Sequence, residues 1–149
     1  MERRASCNCG QVSITTKGEP LRVSVCHCIA CQKRTGSAFG VQARFNVDHT
    51  KISGETKIYQ RTGESGGVID FHFCPQCGAT VYFSTVSMPD VIAIPVGNFA
   101  CLTFNTVPQL GSQGDHKSAA QTFPHPSVSV YQVRALPWVS LSGINDVYD

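Results

Sequence analysis

The sequence predicts an all-β protein on three observations. Apolar residues recur with a period of two in run after run, and turn signals rich in Gly, Ser, Asn and Asp separate the runs. No window carries the three-and-four spacing of a helix longer than one or two turns.

The elements follow in chain order. Val12 and Ile14 alternate with polar partners, and Leu21, Val23 and Val25 repeat the pattern. Phe39, Val41, Ala43 and Phe45 continue it over seven residues, so their side chains are expected on one sheet face. Between these runs, the stretch from Cys28 through Arg34 is the best short helix, ended by Gly36. Ser53-Gly54-Glu55 signals a turn, Ile58-Tyr59 a further strand, and the Gly-rich stretch 63–67 a second turn. Ile69, Phe71 and Phe73 then face opposite to Asp70 and His72, in a strand that runs straight into Cys74. Runs at 80–84, 91–96 and 128–134 are β-branched or aromatic, and the middle one is apolar on both faces, which predicts burial on both. Residues 102–126, with Gly111-Ser112-Gln113-Gly114-Asp115 at their centre, lack apolar periodicity and are expected to form a long, mobile surface loop.

A length of 149 residues suits one domain, so 1–149 is read as a single unit. Hydrophobic residues make up 42% and charged residues 15%, a composition able to bury a core rather than remain disordered. The net charge is +2, and the twelve Lys and Arg are scattered, which gives no stripe to neutralise phosphates and argues against nucleic acid as partner. Residues 1–10 lack the apolar stretch of a signal peptide or membrane span, so the expectation is a cytoplasmic protein with no membrane partner.

In a reducing compartment, patterned cysteines point to metal or catalysis rather than disulfides. Cys7-Asn8-Cys9-Gly10, Cys26-His27-Cys28-Ile29-Ala30-Cys31 and Cys74-Pro75-Gln76-Cys77-Gly78 hold seven of the eight cysteines, and Cys101 stands alone. Paired motifs from separate segments suit a closed tetrahedral zinc, so Cys7, Cys9, Cys74 and Cys77 are assigned to a structural ion. Cys26, Cys28 and Cys31 offer three thiolates within six residues, the number that leaves a coordination position for chemistry. The alternative is a fourth ligand from Cys101 or a histidine. His27, between two ligands, is expected to hydrogen-bond behind the metal or face solvent, because chelation by adjacent residues is strained. His72 reads as a half-exposed strand residue, and His49, His116 and His125 as solvated ones.

At these residues the chain resembles the glutathione-dependent formaldehyde-activating family, which includes centromere-protein-V-like proteins. The likeness covers Cys-x-Cys-Gly at 7–10, Cys-His-Cys-x-x-Cys at 26–31 with Gln32-Lys33-Arg34-Thr35-Gly36-Ser37 after it, Gly54-Glu55, Phe73-Cys74-Pro75-Gln76-Cys77-Gly78, and Pro137-Trp138-Val139. It implies a β-tent fold of several coiled antiparallel sheets braced by zinc, shared with a Rab-binding chaperone family and zinc-bearing methionine sulfoxide reductases. It also implies two zinc ions per chain, one structural on Cys7, Cys9, Cys74 and Cys77 and one catalytic on Cys26, Cys28 and Cys31. His72 stands where the family often has arginine, 102–126 is longer than usual, and Cys101 has no family role.

The activity that the resemblance implies is carbon-sulfur lyase chemistry of the S-hydroxymethylglutathione synthase type, in which glutathione or a similar small thiol adds to formaldehyde or a related small aldehyde. Lys33 and Arg34, beside the three-Cys cluster, are the nearest cations in sequence for the carboxylates of glutathione. A zinc-stabilised binding or chaperone module without catalysis is the other reading, since one fold supports both. Methionine sulfoxide reduction would need a reactive cysteine outside the metal sites, and Cys101 has no basic neighbour in sequence to activate it.

Overall fold

The computed structural model, which describes residues 1–100 and 123–149, has eleven strands and one α-helix among those residues, and period-two patterning accounts for most of the strands. The strands are β1 (Glu2–Ser6), β2 (Ser13–Lys17), β3 (Arg22–Cys26), β4 (Gly40–Asn46), β5 (Thr50–Ser53), β6 (Lys57–Thr62), β7 (Val68–Phe73), β8 (Thr80–Thr85), β9 (Met88–Pro95), β10 (Val128–Val130) and β11 (Asp146–Tyr148). Helix α1 (Ile29–Thr35) follows β3 and ends at Gly36, as the sequence predicts, and Cys28 is its N-cap. The described residues are thus mostly β, in two sheets with one α-helix.

β1, β2 and β5 form a three-stranded antiparallel sheet, and the other eight form a second sheet in the order β11-β10-β3-β4-β9-β8-β7-β6. Pairing in the large sheet is antiparallel except at one end, where β10 runs parallel to both β3 and β11.

Cross-strand register sorts the side chains of the large sheet onto two faces. Val23 of β3 lies opposite Ala43 of β4, which lies opposite Ile94 of β9, and Phe45 lies opposite Ile92. These residues join Ala5, Val12, Ile14, Val81 and Phe99 in the main core, against which the small sheet packs. The other face carries Arg22, Ser24 and Cys26 of β3, Gln42 and Arg44 of β4, and Phe83 and Phe71 of β8 and β7. Ile92, Ala93 and Ile94 are all buried, as expected for the centre of 91–96, while Val91, Pro95 and Val96 are half-buried.

Several expectations need correction. Leu21 precedes β3 and is exposed, because the strand begins at Arg22 and only Val23 and Val25 of that run turn inward. Phe39 precedes β4 and packs edge-on against His27, outside the main core that holds Ala43 and Phe45. The run 128–134 is a strand only to Val130, since Tyr131 takes a left-handed conformation (φ 56°) and a 3₁₀ turn, Gln132–Arg134, follows. β1, β5 and β11 are strands that the alternation of apolar residues does not announce. Most of the expected 102–126 loop lies outside the described residues. Its last part is anchored, because the Phe123 ring packs at a tilt against Phe99, centroids 4.8 Å apart, and Arg3 sits 5.4 Å above the Phe123 ring.

Candidate metal centres and the cavity beside them

The seven described cysteines are brought together in two groups, Cys7, Cys9, Cys74 and Cys77 in one and Cys26, Cys28 and Cys31 in the other. Within each group the sulfur atoms all lie within 4.8 Å of one another.

The first group is built by two matching hairpin turns. Residues 7–12 join β1 to β2, where Cys7 N–H donates to Val12 C=O (3.0 Å) and Gly10 N–H to Cys7 C=O (3.1 Å). Residues 74–79 join β7 to β8, where Cys74 N–H donates to Ala79 C=O (2.9 Å) and Gly78 N–H to Cys74 C=O (2.9 Å). Gly10 and Gly78 close the turns at φ 78° and 73°, a region open to glycine and strained for other residues. The Sγ atoms of Cys7 and Cys9 are 3.6 Å apart, and those of Cys9 and Cys74 are 3.7 Å apart. A tetrahedral thiolate site with metal–sulfur bonds of about 2.3 Å has edges of about 3.8 Å, so this set fits zinc. Backbone donors favour the ionised sulfurs. Val12 N–H reaches Cys7 Sγ at 3.2 Å, and the Ala79 N–H is the main cause that brings the Cys77 thiol down to about 6.

The second group comes from one short segment on the opposite face of the large sheet. Cys26 ends β3, Cys28 caps α1 with its Sγ accepting from Cys31 N–H at 3.4 Å, and Cys31 lies within the helix. Hydrogen bonds from Cys26 and then Cys31 draw the Cys28 thiol down to about 2, aided by the charge of Arg61. Hydrogen bonding to Cys28 and Cys31 pushes the Cys26 thiol up, so Cys28 ionises first. Ala30, Val130 and Tyr131 pack over the group. Gln32 fastens this corner, its Nε2 donating to His27 C=O (2.7 Å) and Arg134 C=O (3.2 Å), and His27 N–H donates to Val130 C=O (3.0 Å). Both groups could hold metal ions, and the donor chemistry suits zinc.

The three thiols line a cavity of about 280 Å³. Ile69, Phe71 and Phe83 supply apolar wall, and Tyr131 stands beside the thiols. Arg134 and Glu64 form an ion pair that joins the turn after β10 to the turn between β6 and β7, with Glu64 at the cavity wall.

The histidines divide as follows. His27 is fully buried edge-on to Phe39 at 5.6 Å, and neither ring nitrogen has a hydrogen-bond partner among the described residues, which corrects the expected hydrogen-bonding or surface role. Burial alone pushes its pKa down. His72 is half-buried, stacks on Tyr82 at 4.1 Å and meets Thr56 Oγ1 at 3.3 Å, as befits a strand residue rather than a ligand. His49 and His125 are exposed as expected, while His116 and Cys101 lie outside the described residues.

Lys33 and Arg34 do not line the cavity. Lys33 is exposed, and the Arg34 guanidinium lies over the rings of Phe83 (5.4 Å) and Phe71 (5.8 Å). The cavity's cations are Arg22, Arg44 and Arg61, which sequence adjacency misses. The signal that finds the first is parity, since Arg22, Ser24 and Cys26 alternate along one strand and share its face.

Two all-cysteine clusters that could hold metal ions, one on each side of the large sheet, with a cavity beside the three-Cys cluster, define a β protein with room for a small ligand. The chain belongs to the glutathione-dependent formaldehyde-activating enzyme family, whose sequence profile matches residues 2–112. A Rhodobacter sphaeroides protein of known crystal structure has a similar fold, with a TM-score of 0.52 and 18% identity over 71% of this chain and 95% of that one. None of the curated proteins matches the chain. No helix among the described residues is long and apolar enough to cross a membrane.

Proposed function

We propose that the chain is a single-domain, cytoplasmic, zinc-dependent carbon-sulfur lyase-type enzyme that adds a glutathione-like thiol to formaldehyde or a related small aldehyde. Cys7, Cys9, Cys74 and Cys77 would hold a structural zinc, and Cys26, Cys28 and Cys31 a catalytic one. The observation that carries this reading is the contrast in donor number: four thiols from two hairpin turns suffice to complete a tetrahedron, while three leave one coordination position beside a cavity.

A zinc ion on the three thiolates would supply the charge that keeps an incoming thiol ionised near neutral pH or polarises an aldehyde oxygen. The protein's own groups do the rest. Ile69, Phe71 and Phe83 exclude water from one wall, which strengthens electrostatic attraction inside the cavity. Arg61, whose guanidinium lies 5.6 Å from the Phe71 ring centre, adds positive charge beside Cys28 and favours an anionic sulfur there. In the addition, the thiolate sulfur forms a bond to the carbonyl carbon, the C=O π pair moves onto oxygen, and that oxygen takes up one proton. The thiol gave up one proton, so the overall step combines thiol and aldehyde with nothing lost.

The test mixes zinc-loaded protein with glutathione and formaldehyde and follows S-hydroxymethylglutathione by exchange-resolved NMR. The expected result is formation faster than the spontaneous reaction, abolished in Cys28→Ser. A rate equal to the uncatalysed one in protein carrying two zinc ions would refute the enzymatic reading and favour a binding module.

A further inference from the structure

Along the ladder between β3 and β4, the cavity face is arranged in rungs two residues apart. Arg22 lies directly opposite Arg44, Ser24 opposite Gln42, and Cys26 opposite Gly40. A strand rises about 3.3 Å per residue, so the rungs are about 7 Å apart and the arginine rung stands about 13 Å along the strand from Cys26.

Like charges placed directly across an antiparallel pair repel one another. Nothing acidic among the described residues relieves this pair, because the ion pairs there are Arg3 with Glu19 and Arg134 with Glu64. The Nε of Arg22 is buried without a partner, and the described side-chain contact of Arg44 is a long one, Nη1 to Met88 Sδ at 3.8 Å. Burial and the charge of Arg22 both lower the pKa of Arg44. Two partly buried guanidinium groups with free donors, facing one cavity, are built to take an anion by charge-assisted hydrogen bonds.

The middle rung adds a second requirement. Gln42 and Ser24 are both more than nine-tenths buried, and Gln42 Nε2 donates to Ser24 Oγ at 3.2 Å. In this orientation of the amide, Oε1 is left as a buried acceptor with no partner among the described residues. Its complement is an N–H group on the ligand.

We propose that this ladder recognises a peptide thiol, with sulfur at Cys26, Cys28 and Cys31, an amide or ammonium N–H on Gln42 Oε1, and a carboxylate on Arg22 and Arg44. The assignment rests on the thiol-adding function proposed above and makes it more specific. A carboxylate on the same residue as the sulfur is too close to span the ladder, whereas one set a residue or more away is suited to it. Small thiols without a carboxylate forgo the arginine rung.

Calorimetry on full-length, zinc-loaded protein with S-methylglutathione separates the ladder from the thiol. This probe keeps the carboxylates and amides but has no free thiol. We expect it to bind, and Arg22→Gln with Arg44→Gln together to weaken it at least tenfold, with circular dichroism and zinc content unchanged. Glutathione diethyl ester, whose carboxylates are masked, is expected to bind wild type and double variant alike. If the double variant does not fold, Arg22→Gln and Arg44→Lys singly make the same comparison, with several-fold losses expected and the smaller one for Lys. Failure of S-methylglutathione to bind wild type, equal binding to the variants, or an ester as tight as the acid in wild type would overturn the ladder. Glutathione binding no tighter than S-methylglutathione would instead defeat the thiol reading and leave the ladder standing.

Discussion

Gly54→Ala tests whether the turn before β6 supports the four-Cys centre. Gly54 has φ 99°, and a Cβ there would stand 2.1 Å from the Gln11 carbonyl oxygen and 2.9 Å from Val12 Cα. The backbone conformation alone costs an L-residue about 1–2 kcal/mol. Relieving the contact requires moving backbone rather than a flexible side-chain end, an overpacking cost of about 1–3 kcal/mol. The sum, about 2–5 kcal/mol, corresponds to a fall in melting temperature of roughly 4–20 °C for a chain of this size.

The displaced segment also determines where the loss appears. Gln11, with its amide oriented as its neighbours require, donates to Glu55 C=O at 3.1 Å and accepts from Glu55 N–H at 2.7 Å. The next residue, Val12, donates its N–H to Cys7 Sγ at 3.2 Å. Pushing residues 11 and 12 away from 54 therefore disturbs the hairpin turn that carries Cys7 and Cys9. Urea unfolding should report the global loss, and chelator competition should show at least tenfold weaker metal retention by the four-Cys group with the three-Cys group unchanged. A Gly54→Ala protein within about 0.5 kcal/mol of wild type, or one that weakens both metal groups equally, would refute this reasoning.

Cys74→Ser should give insoluble protein or a large fall in melting temperature, because the four-Cys group ties together turns more than sixty residues apart and its metal affinity contributes directly to folding. Cys28→Ser should stay folded and lose one metal ion, since its group closes almost no loop; mass spectrometry under native conditions reads both outcomes, and equal unfolding of the two variants would contradict them. Gln32→Ala removes two hydrogen bonds, at 2.7 and 3.2 Å, and should cost about 1–3 kcal/mol in urea unfolding while weakening metal retention at Cys26, Cys28 and Cys31 alone. Phe45→Ala, in the main core, should cost about 3–5 kcal/mol and leave ligand binding in the folded fraction unchanged. Phe83→Ala, at the cavity wall and partly exposed, should cost less and change ligand affinity, as unfolding and calorimetry on the pair will show.

The fold was legible where one face of a strand is apolar. Ala43 and Phe45 of β4, and Phe71 of β7, announce themselves because burial on one face imposes a period of two. β1 escapes this signal. Of Glu-Arg-Arg-Ala-Ser only Ala5 is fully buried, and Arg3 covers its side by packing its long side chain on Phe123, a contact between residues 120 positions apart. β11 is exposed throughout and is held by its parallel pairing with β10, which no local pattern records. The end of β10 depends on Tyr131 adopting φ 56°, a conformation that a run of β-forming residues does not suggest. The grouping of the cysteines was legible because their spacing states it, and the structure brings the same seven together in the same two sets.

The cavity's cations were not legible by adjacency because a sheet, unlike a sequence, places neighbours by parity and register. Lys33 and Arg34 are close to Cys31 along the chain, yet α1 turns Lys33 to solvent and sends Arg34 across the rings of Phe71 and Phe83. Arg22 is four residues before Cys26, an even number, and so shares its face; Arg44 follows from the pairing of β3 with β4. The same parity keeps the two cysteine groups apart. Val23 and Val25 are buried on the side opposite Cys26, with Val23 in the core that also contains Cys7 and Cys74, so one ordered sheet lies between the four-Cys and the three-Cys group. A one-residue slip of β3 against its neighbours would move Cys26 and both hydrophobic valines to the wrong faces together. Register in this strand is therefore fixed by the core on one face, and the thiols on the other inherit their position from it.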